Sequence, residues 1–103
     1  MDNENRKIAI VPRLASSRIS ARNLLEEVDS DEAIVVVDFS ENEACSISFI
    51  QELVRIHLIL NRNAESVLVF RNVRQSTVEK VDYVFNSFPN VRKRIVAENI
   101  REG

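Results

Sequence analysis

Glycine is almost missing from this chain of 103 residues, since the only one is Gly103 at its end. Turns must be built with Asn, Asp, Ser or Pro, which disfavours glycine-dependent tight hairpins and phosphate-binding loops. Cys45 and His57 are also the only residues of their kinds. One cysteine cannot form an intrachain disulfide, and one histidine without matching cysteine or carboxylate spacing does not make a metal site. We therefore predict no metal ion and no cofactor.

A large net charge and a long apolar run are missing too. The 14 basic and 16 acidic residues give a formal net charge of -2, which creates no field that attracts nucleic acid or an anionic membrane. The basic cluster at residues 92–94 has no interleaved aromatic residues to stack bases, so nucleic-acid binding is disfavoured. The longest apolar stretch, residues 56–60, falls far short of the roughly 18 residues that suggest a membrane span. The N-terminus has no positive region leading into an apolar one, so we expect a cytoplasmic protein that binds no membrane.

The composition that is present is that of an ordinary globular protein, with 45% apolar and 29% charged residues. A chain of this length supports one hydrophobic core of modest size. We therefore predict a single domain over residues 1–103, with flexible ends at residues 1–7 and 98–103.

Short runs rich in β-branched residues predict the strands. They lie at residues 8–11, 33–39 and 66–70, and the second should be central in the sheet. The C-terminal segment has two interpretations that periodicity does not separate, an edge strand at residues 94–97 or a helix over residues 91–100. We favour the strand.

Amphipathic stretches between these runs predict three helices. Each has two candidate N-cap residues, namely Ser17 or Ser20, Ser46 or Ser48, and Ser76 or Thr77. The second helix should extend to about residue 60 and end at the Asn-Arg-Asn of residues 61–63, since Asn tolerates the left-handed conformation found where helices stop. Alternating strands and helices predict an α/β fold, a small open sheet with parallel strands and three helices.

Polar residues follow the predicted strands at the edge where such sheets bind ligands. Asp38 ends the second strand, Ser46 and Ser48 begin the second helix, and Arg71 and Asn72 follow the third strand. We predict these five residues as a partner-binding surface. Asp38 has a structural interpretation as well, in which its carboxylate holds the adjacent loop by accepting backbone hydrogen bonds. Arg71 and Asn72 also have a structural interpretation, in which they close the loop that leads into the next helix.

A family resemblance rests on residues 18–25 (Arg-Ile-Ser-Ala-Arg-Asn-Leu-Leu), 36–39 (Val-Val-Asp-Phe), 46–53 (Ser-Ile-Ser-Phe-Ile-Gln-Glu-Leu) and 68–72 (Leu-Val-Phe-Arg-Asn). The pattern resembles the STAS-like family of prokaryotic domains and covers roughly residues 8–97. That family is a relative of the STAS domains of anti-sigma-factor antagonists and of sulfate transporters. The resemblance implies a small binding module without catalytic residues. By analogy, it implies a histidine-kinase-type ATPase as the protein partner.

In the antagonist branch, partners are exchanged when a serine at the start of the second helix is phosphorylated. Those proteins carry Asp-Ser-Ser-Gly where residues 46–49 of this chain are Ser-Ile-Ser-Phe, so the usual phosphoserine position falls on Ile47. A phosphoacceptor in this chain would be Ser48 or Ser46. Helix capping is the other interpretation of both serines.

Three functional hypotheses follow. The first is a non-enzymatic regulatory or scaffolding module that binds a protein through the loop after Asp38 and the start of the second helix. The second is a homo-oligomeric assembly protein joined through the broad apolar second helix and a sheet edge. The third is an enzyme that uses Cys45, whose thiol pKa a helix start could lower, although no general base is evident.

Overall fold

The structure, a computed structural model, describes residues 6–27, 34–59 and 65–101. Within these segments the strands are β1 Arg6–Ile10, β2 Leu14–Ala15, β3 Ile34–Asp38, β4 Ala44–Cys45, β5 Val67–Arg71 and β6 Ile95–Glu98. The helices are α1 Arg18–Glu27, α2 Ile47–Val54 and α3 Gln75–Ser87, and shorter helical turns cover Arg55–Ile59 and Pro89–Arg94. The helix stop predicted at residues 61–63 lies outside the described residues.

The larger sheet has the strand order β1-β3-β5-β6, and every neighbouring pair in it is parallel. This confirms the predicted small open α/β sheet with parallel strands and three helices, and it confirms the strand interpretation of the C-terminal segment. The order advances in one direction, and crossovers between parallel strands are right-handed. The three helices therefore pack on the same face of the sheet.

The hydrophobic core lies between the sheet and the helices. Alternate residues of the strands face it, including Val35 and Val37 of β3 and Phe70 of β5, all fully buried. The ring of Phe70 stacks on that of Phe39, with centroids 5.8 Å apart. Burying an aromatic or aliphatic side chain stabilises a fold by about 1.5–3 kcal/mol, so each of these side chains contributes substantially to stability.

Helix α2 is the central helix of the core. Its apolar side chains Phe49, Ile50, Leu53 and Val54 are fully buried within the chain. The helix continues as a single π-helical turn, in which His57 is buried and its Nε2 lies 3.1 Å from the carbonyl oxygen of Val67. The breadth of apolar surface on α2 is therefore explained by contacts inside the domain.

A second, two-stranded sheet was not predicted. Strands β2 and β4 are parallel, with Leu14 opposite Ala44. The buried Asn42 supports the pair because its Nδ2 donates to the carbonyl oxygens of Pro12 at 2.7 Å and Ala44 at 3.0 Å. Two-residue strands are too short to show hydrophobic periodicity. This small sheet lies directly before the start of α2.

The helix starts agree only in part with the predicted caps. Ser17 precedes α1, and its Oγ accepts a hydrogen bond from the amide of Ser20 at 3.1 Å, so one of the two candidates is confirmed. The cap predicted for the third helix is wrong, because α3 begins at Gln75, before both Ser76 and Thr77. A backbone hydrogen bond from Gln75 to the carbonyl of Arg101 brings the chain into the helix there.

Candidate functional site

The ends of β3 and β5 bring three of the predicted site residues together. Asp38 Oδ1 accepts hydrogen bonds from Asn72 Nδ2 and from the amide of Ser40, both at 2.9 Å. Arg71, opposite Asp38 in the register of the sheet, places its Nη2 3.6 Å from Oδ2. Burial raises the pKa of Asp38, but the hydrogen bonds from Asn72 and Ser40 outweigh it, so the pKa lies below its ordinary value. The carboxylate is a charged anchor for the loop after β3.

Asn72 adopts a left-handed backbone conformation with φ of 60°. Asn tolerates this region better than most residues because its short polar side chain can hydrogen-bond locally. Here the turn directs the side chain toward Asp38 and leaves the backbone amide to donate to the carbonyl of Glu98 at 3.1 Å. Asn72 therefore links the ends of β3, β5 and β6.

Arg101 covers this cluster from the C-terminal end of the chain. Its Nη2 donates to the carbonyl oxygen of Phe39 at 2.6 Å, its Nη1 to Ser40 at 3.3 Å and its Nε to Asn72 at 2.6 Å. The backbone amide of Arg101 also donates to Val73 at 2.7 Å. Arg101 lies in the segment that we expected to be a flexible end, and nothing in the local sequence indicates its role.

Ser46 caps α2. Its Oγ accepts a hydrogen bond from the amide of Phe49 at 3.1 Å and donates one to the carbonyl oxygen of Ser16 at 3.0 Å. The capping interpretation is therefore confirmed for Ser46. Ser48 is the second residue of the helix and is half-buried. The two candidate phosphoacceptors thus differ, because only the hydroxyl of Ser46 makes the cap.

Replacing Ser46 by alanine should lower the free energy of unfolding by about 1 kcal/mol, since it removes both the cap and the link to Ser16. Ser48→Ala is the matched control, and its loss should be less than half as large. Urea denaturation of both variants measures the difference. Equal losses would show that the cap hydroxyl contributes no more than an ordinary serine of the first turn.

Beside the cap is a shallow, mostly apolar cleft of about 320 Å³. It is lined by the two short strands and the residues that follow them: Leu14, Ala15, Ser16, Ala44, Cys45 and Ser46. Leu14 is 58% exposed, and Ile47, the next residue after the cap, is 36% exposed. Two large apolar side chains therefore remain in water beside the start of α2. Leu14 was not among the predicted site residues, because only the pairing of β2 with β4 brings it here.

Cys45 forms part of the cleft but is itself buried. Burial raises the pKa of its thiol, and the positive charge of Lys80 and a hydrogen bond with Thr77 offset this only in part. The expectation of a pKa lowered by the helix start is therefore wrong, because loss of water at the sulfur dominates. Thiolate is the nucleophilic form, so a raised pKa argues against nucleophilic chemistry at Cys45 at neutral pH.

Over the described part of the chain, no group of three or more His, Cys, Asp or Glu side chains is arranged to hold a metal ion. The helices in the same residues are all too short or too polar to cross a bilayer. Comparisons with protein-family models, curated proteins and solved structures give no significant match. The function is therefore argued from the geometry of this site.

Proposed function

We propose that this chain is a non-enzymatic, STAS-like module that binds a protein partner through a docking rim, formed by Leu14, Ala44, Ser46, Ile47 and Ser48. The observation that carries the proposal is the apolar cleft beside the cap of α2, which the exposed Leu14 lines. Ile47, the residue after the cap, is exposed as well. The rim includes the loop after β3 and the start of the second helix. Of the predicted binding residues, Ser46 and Ser48 belong to it.

The polar cluster at the ends of β3 and β5 holds the loop after β3, which leads toward the rim. Asp38 and Asn72 bond to each other, and Arg101 spans the carbonyls of both loops. A surface whose backbone is held in this way loses little conformational entropy on binding, which favours recognition by a preformed shape. We therefore assign Asp38, Arg71 and Asn72 to holding the rim in position.

The chemistry of the groups around the rim favours binding over catalysis. The carboxylate of Asp38 is engaged in hydrogen bonds, and the thiol of Cys45 is buried with a raised pKa. Burial of exposed apolar side chains by a partner, in contrast, stabilises the complex, by about 1.5–3 kcal/mol for a fully buried Leu or Ile. Leu14 and Ile47 are therefore the expected energetic centre of the interface.

A phosphorylation switch fits Ser48 better than Ser46. A phosphate on Ser48 would lie in the first turn of α2, where the helix dipole favours negative charge, and it would leave the Ser46 cap intact. The same phosphate would place a charge of about -1.5 to -2 on an apolar contact surface. This charge would oppose the binding of a partner to that surface. The resemblance to STAS-like domains points to a histidine-kinase-type ATPase in the cytosol as the partner.

Assembly through the broad second helix, the competing hypothesis, has less support. Phe49, Ile50, Leu53 and Val54 are already covered inside the domain, so that part of α2 offers no apolar surface to another copy. Among the described residues of α2 and its π-helical turn, the exposed large apolar side chains are Ile47, which belongs to the docking rim, and Ile59.

The docking rim is tested by binding of the purified chain to the kinase-type ATPase encoded in the same host. Ile47→Glu and Leu14→Glu should each raise the dissociation constant at least about tenfold, because each places a charge in an apolar contact. Ile59→Glu is the matched control, since Ile59 is 46% exposed at the opposite end of the same helical segment. It should change the dissociation constant less than about twofold. Calorimetric titration gives these values directly.

Two results would contradict the proposal. One is the absence of any retained protein when the immobilised chain is incubated with host extract. The other is equal weakening by Ile47→Glu and Ile59→Glu, which would place the interface elsewhere. Ser48→Asp tests the switch in the same titration, and unchanged affinity in that variant would remove Ser48 as the regulatory residue.

A further inference from the structure

Three arginines converge on one buried carboxylate where α1 packs against α2. Glu52 of α2 is 1% exposed, and its Oε1 and Oε2 accept hydrogen bonds from Nε and Nη2 of Arg55 at 3.0 and 2.6 Å. Arg18 and Arg22 of α1 approach the same carboxylate at 3.3 and 3.4 Å. The side chains of these three arginines, which we call the arginine cluster, are 42–54% exposed.

The charges around Glu52 do not balance. The hydrogen bond with Arg55 is the largest cause that lowers the pKa of Glu52 to about 2, so Glu52 supplies one negative charge at neutral pH. Arg55 alone pairs with it through two short hydrogen bonds. Arg18 and Arg22 then leave two positive charges in excess. Glu26, one turn after Arg22 on α1, is exposed and makes no ion pair with the cluster in the described part of the chain.

The cluster also keeps donors that Glu52 does not use. Arg22 donates to Glu52 through Nε alone, and Arg55 donates through Nε and Nη2. Both terminal nitrogens of Arg22 and the Nη1 of Arg55 make no hydrogen bond with the other described residues. A guanidinium presents its donors in a planar fork that matches a carboxylate. The cluster therefore has the charge and the donors to bind further carboxylates.

The contacts to Glu52 restrict the arginines before any ligand arrives. Arg18 is held at two points, with Nη1 on Glu52 at 3.3 Å and Nη2 on Gln51 at 2.9 Å. An arginine side chain that is free in water loses up to about 2 kcal/mol of conformational entropy when a ligand fixes it. A guanidinium that is already restricted loses less, which favours binding.

The arginine cluster adjoins the docking rim along α2. Gln51 lies four residues after Ile47, which places it one helical turn, about 5–6 Å, further along the same side of the helix. Glu52 stands in the same relation to Ser48. Arg18 bonds to both Gln51 and Glu52. A basic surface thus continues the apolar one.

We propose that the arginine cluster binds an acidic segment of the protein partner. The partner should then carry aspartate or glutamate residues about 5–10 Å, or one to two helical turns, from the apolar anchor that it places in the rim. This inference rests on the proposed function, because it names the chemistry of the partner that docks there. Opposite charges across an interface steer association and disfavour wrong partners.

An acidic protein segment fits this surface better than a nucleic acid. The chain has a formal net charge of -2, so a long polyanion would meet no general attraction outside the cluster. The neighbouring docking rim offers Leu14 and Ile47 and contains no aromatic ring on which bases could stack. A short run of carboxylates beside an apolar anchor matches both surfaces.

Fluorescence anisotropy of fluorescein-labelled hexaglutamate tests the cluster without the partner. The full chain should bind this peptide at about 20 mM salt and at least about fivefold more weakly at about 200 mM, because salt screens exposed charges. Arg18→Gln and Arg22→Gln should each raise the dissociation constant about two- to fivefold. Arg55 stays unchanged, since its loss would leave the buried Glu52 without its nearest partner.

Lys93→Gln is the control, because it removes the same charge at an exposed residue before β6, the edge strand opposite β1. It should change the dissociation constant less than about 1.5-fold. Thermal melting of each variant confirms folding. Hexaglutamate has no apolar anchor, so its binding does not depend on Leu14 or Ile47, and the docking rim is judged separately by the titration with the ATPase.

Three results would overturn the acidic-segment proposal. The first is a wild type that does not bind hexaglutamate at low salt, and the second is equal weakening by Arg22→Gln and Lys93→Gln. The third is binding of a labelled oligothymidylate of the same charge as tightly as hexaglutamate, which would show that the cluster does not select carboxylates.

Discussion

Replacing Arg101 by methionine should lower the free energy of unfolding by about 2–4 kcal/mol, one of the largest effects of any single substitution outside the apolar core. The guanidinium donates to three carbonyl oxygens on two loops, with two of the bonds at 2.6 Å. Hydrogen bonds from a charged donor are worth more than neutral ones, and methionine keeps the length of the side chain while removing every donor. Urea denaturation should show this loss as a lower midpoint, with the same dependence of the unfolding free energy on urea concentration.

Arg13→Met is the control for Arg101. Arg13 pairs with Glu43 at 2.8 Å, but both side chains are more than half exposed, and exposed pairs contribute about 0–1 kcal/mol. Native-state hydrogen exchange adds a local readout. The amides of Asn72 and Gln75 bond to the carbonyls of Glu98 and Arg101, so they should exchange faster in Arg101→Met. Equal losses in the two variants, or unchanged protection at Asn72, would mean that Arg101 does not hold the C-terminal segment in place.

Acidification should remove about 1–2 kcal/mol of stability through Glu52 alone. The side chain of Glu52 is 1% exposed and contacts three arginines, with Arg55 at 2.6 Å, Arg18 at 3.3 Å and Arg22 at 3.4 Å. The hydrogen bond with Arg55 is the largest cause that lowers the pKa of Glu52 from 4.5 to about 2, and burial opposes it. The arginines are 42–54% exposed, so solvent screens part of the interaction.

The direction of the pH dependence follows from the lowered pKa. Glu52 is charged in the folded protein down to about pH 2, whereas in the unfolded chain it binds a proton near pH 4.5. Its contribution is therefore complete above pH 4.5 and is lost as the pH falls toward 2. Glu52→Gln should be less stable than the wild type at pH 7, and the difference should shrink over that interval.

Glu43→Gln is the control for Glu52, since Glu43 contacts a single arginine and is 54% exposed. Its stability relative to the wild type should change little between pH 7 and pH 3, within about 0.5 kcal/mol. Chemical denaturation at several pH values gives both comparisons. A constant difference between wild type and Glu52→Gln at every pH would show that the ionised carboxylate is not the source of the stability.

Strands β1, β3 and β5 of the larger sheet were predictable because each is a continuous apolar run, whereas the segment of β6 also allowed a helix. The apolar residues of β3 and β5 and the stripe of α2 extend over five or more residues, long enough for alternation or helical spacing to be read. A serine cap at residue 46 or 48 was predictable for the same local reason, since a serine directly before a helical stripe is a strong start signal, and the structure shows that it is Ser46. Each of these features depends on neighbours within a few positions.

The candidate site was predicted only in part. Ser46 and Ser48 border the cleft, but Leu14 was missed because β2 is two residues long. The pKa direction for Cys45 was wrong because the sequence shows the nearby helix start and not the burial of the sulfur. Arg101 was assigned to a flexible end, although its side chain reaches Phe39, 62 residues earlier in the chain.

The sequence by itself determined the order of the three helices and of the strands of the larger sheet, their parallel connection, and the start of the second helix at a serine cap. These follow from steric preferences and apolar spacing that act over short stretches of chain. Only the tertiary structure decided which face of the sheet carries the helices, that Asp38 stands beside Arg71, and that Leu14 and Ser46 line one cleft. The order and register of strands are set by the packing of distant segments, and no local pattern encodes them.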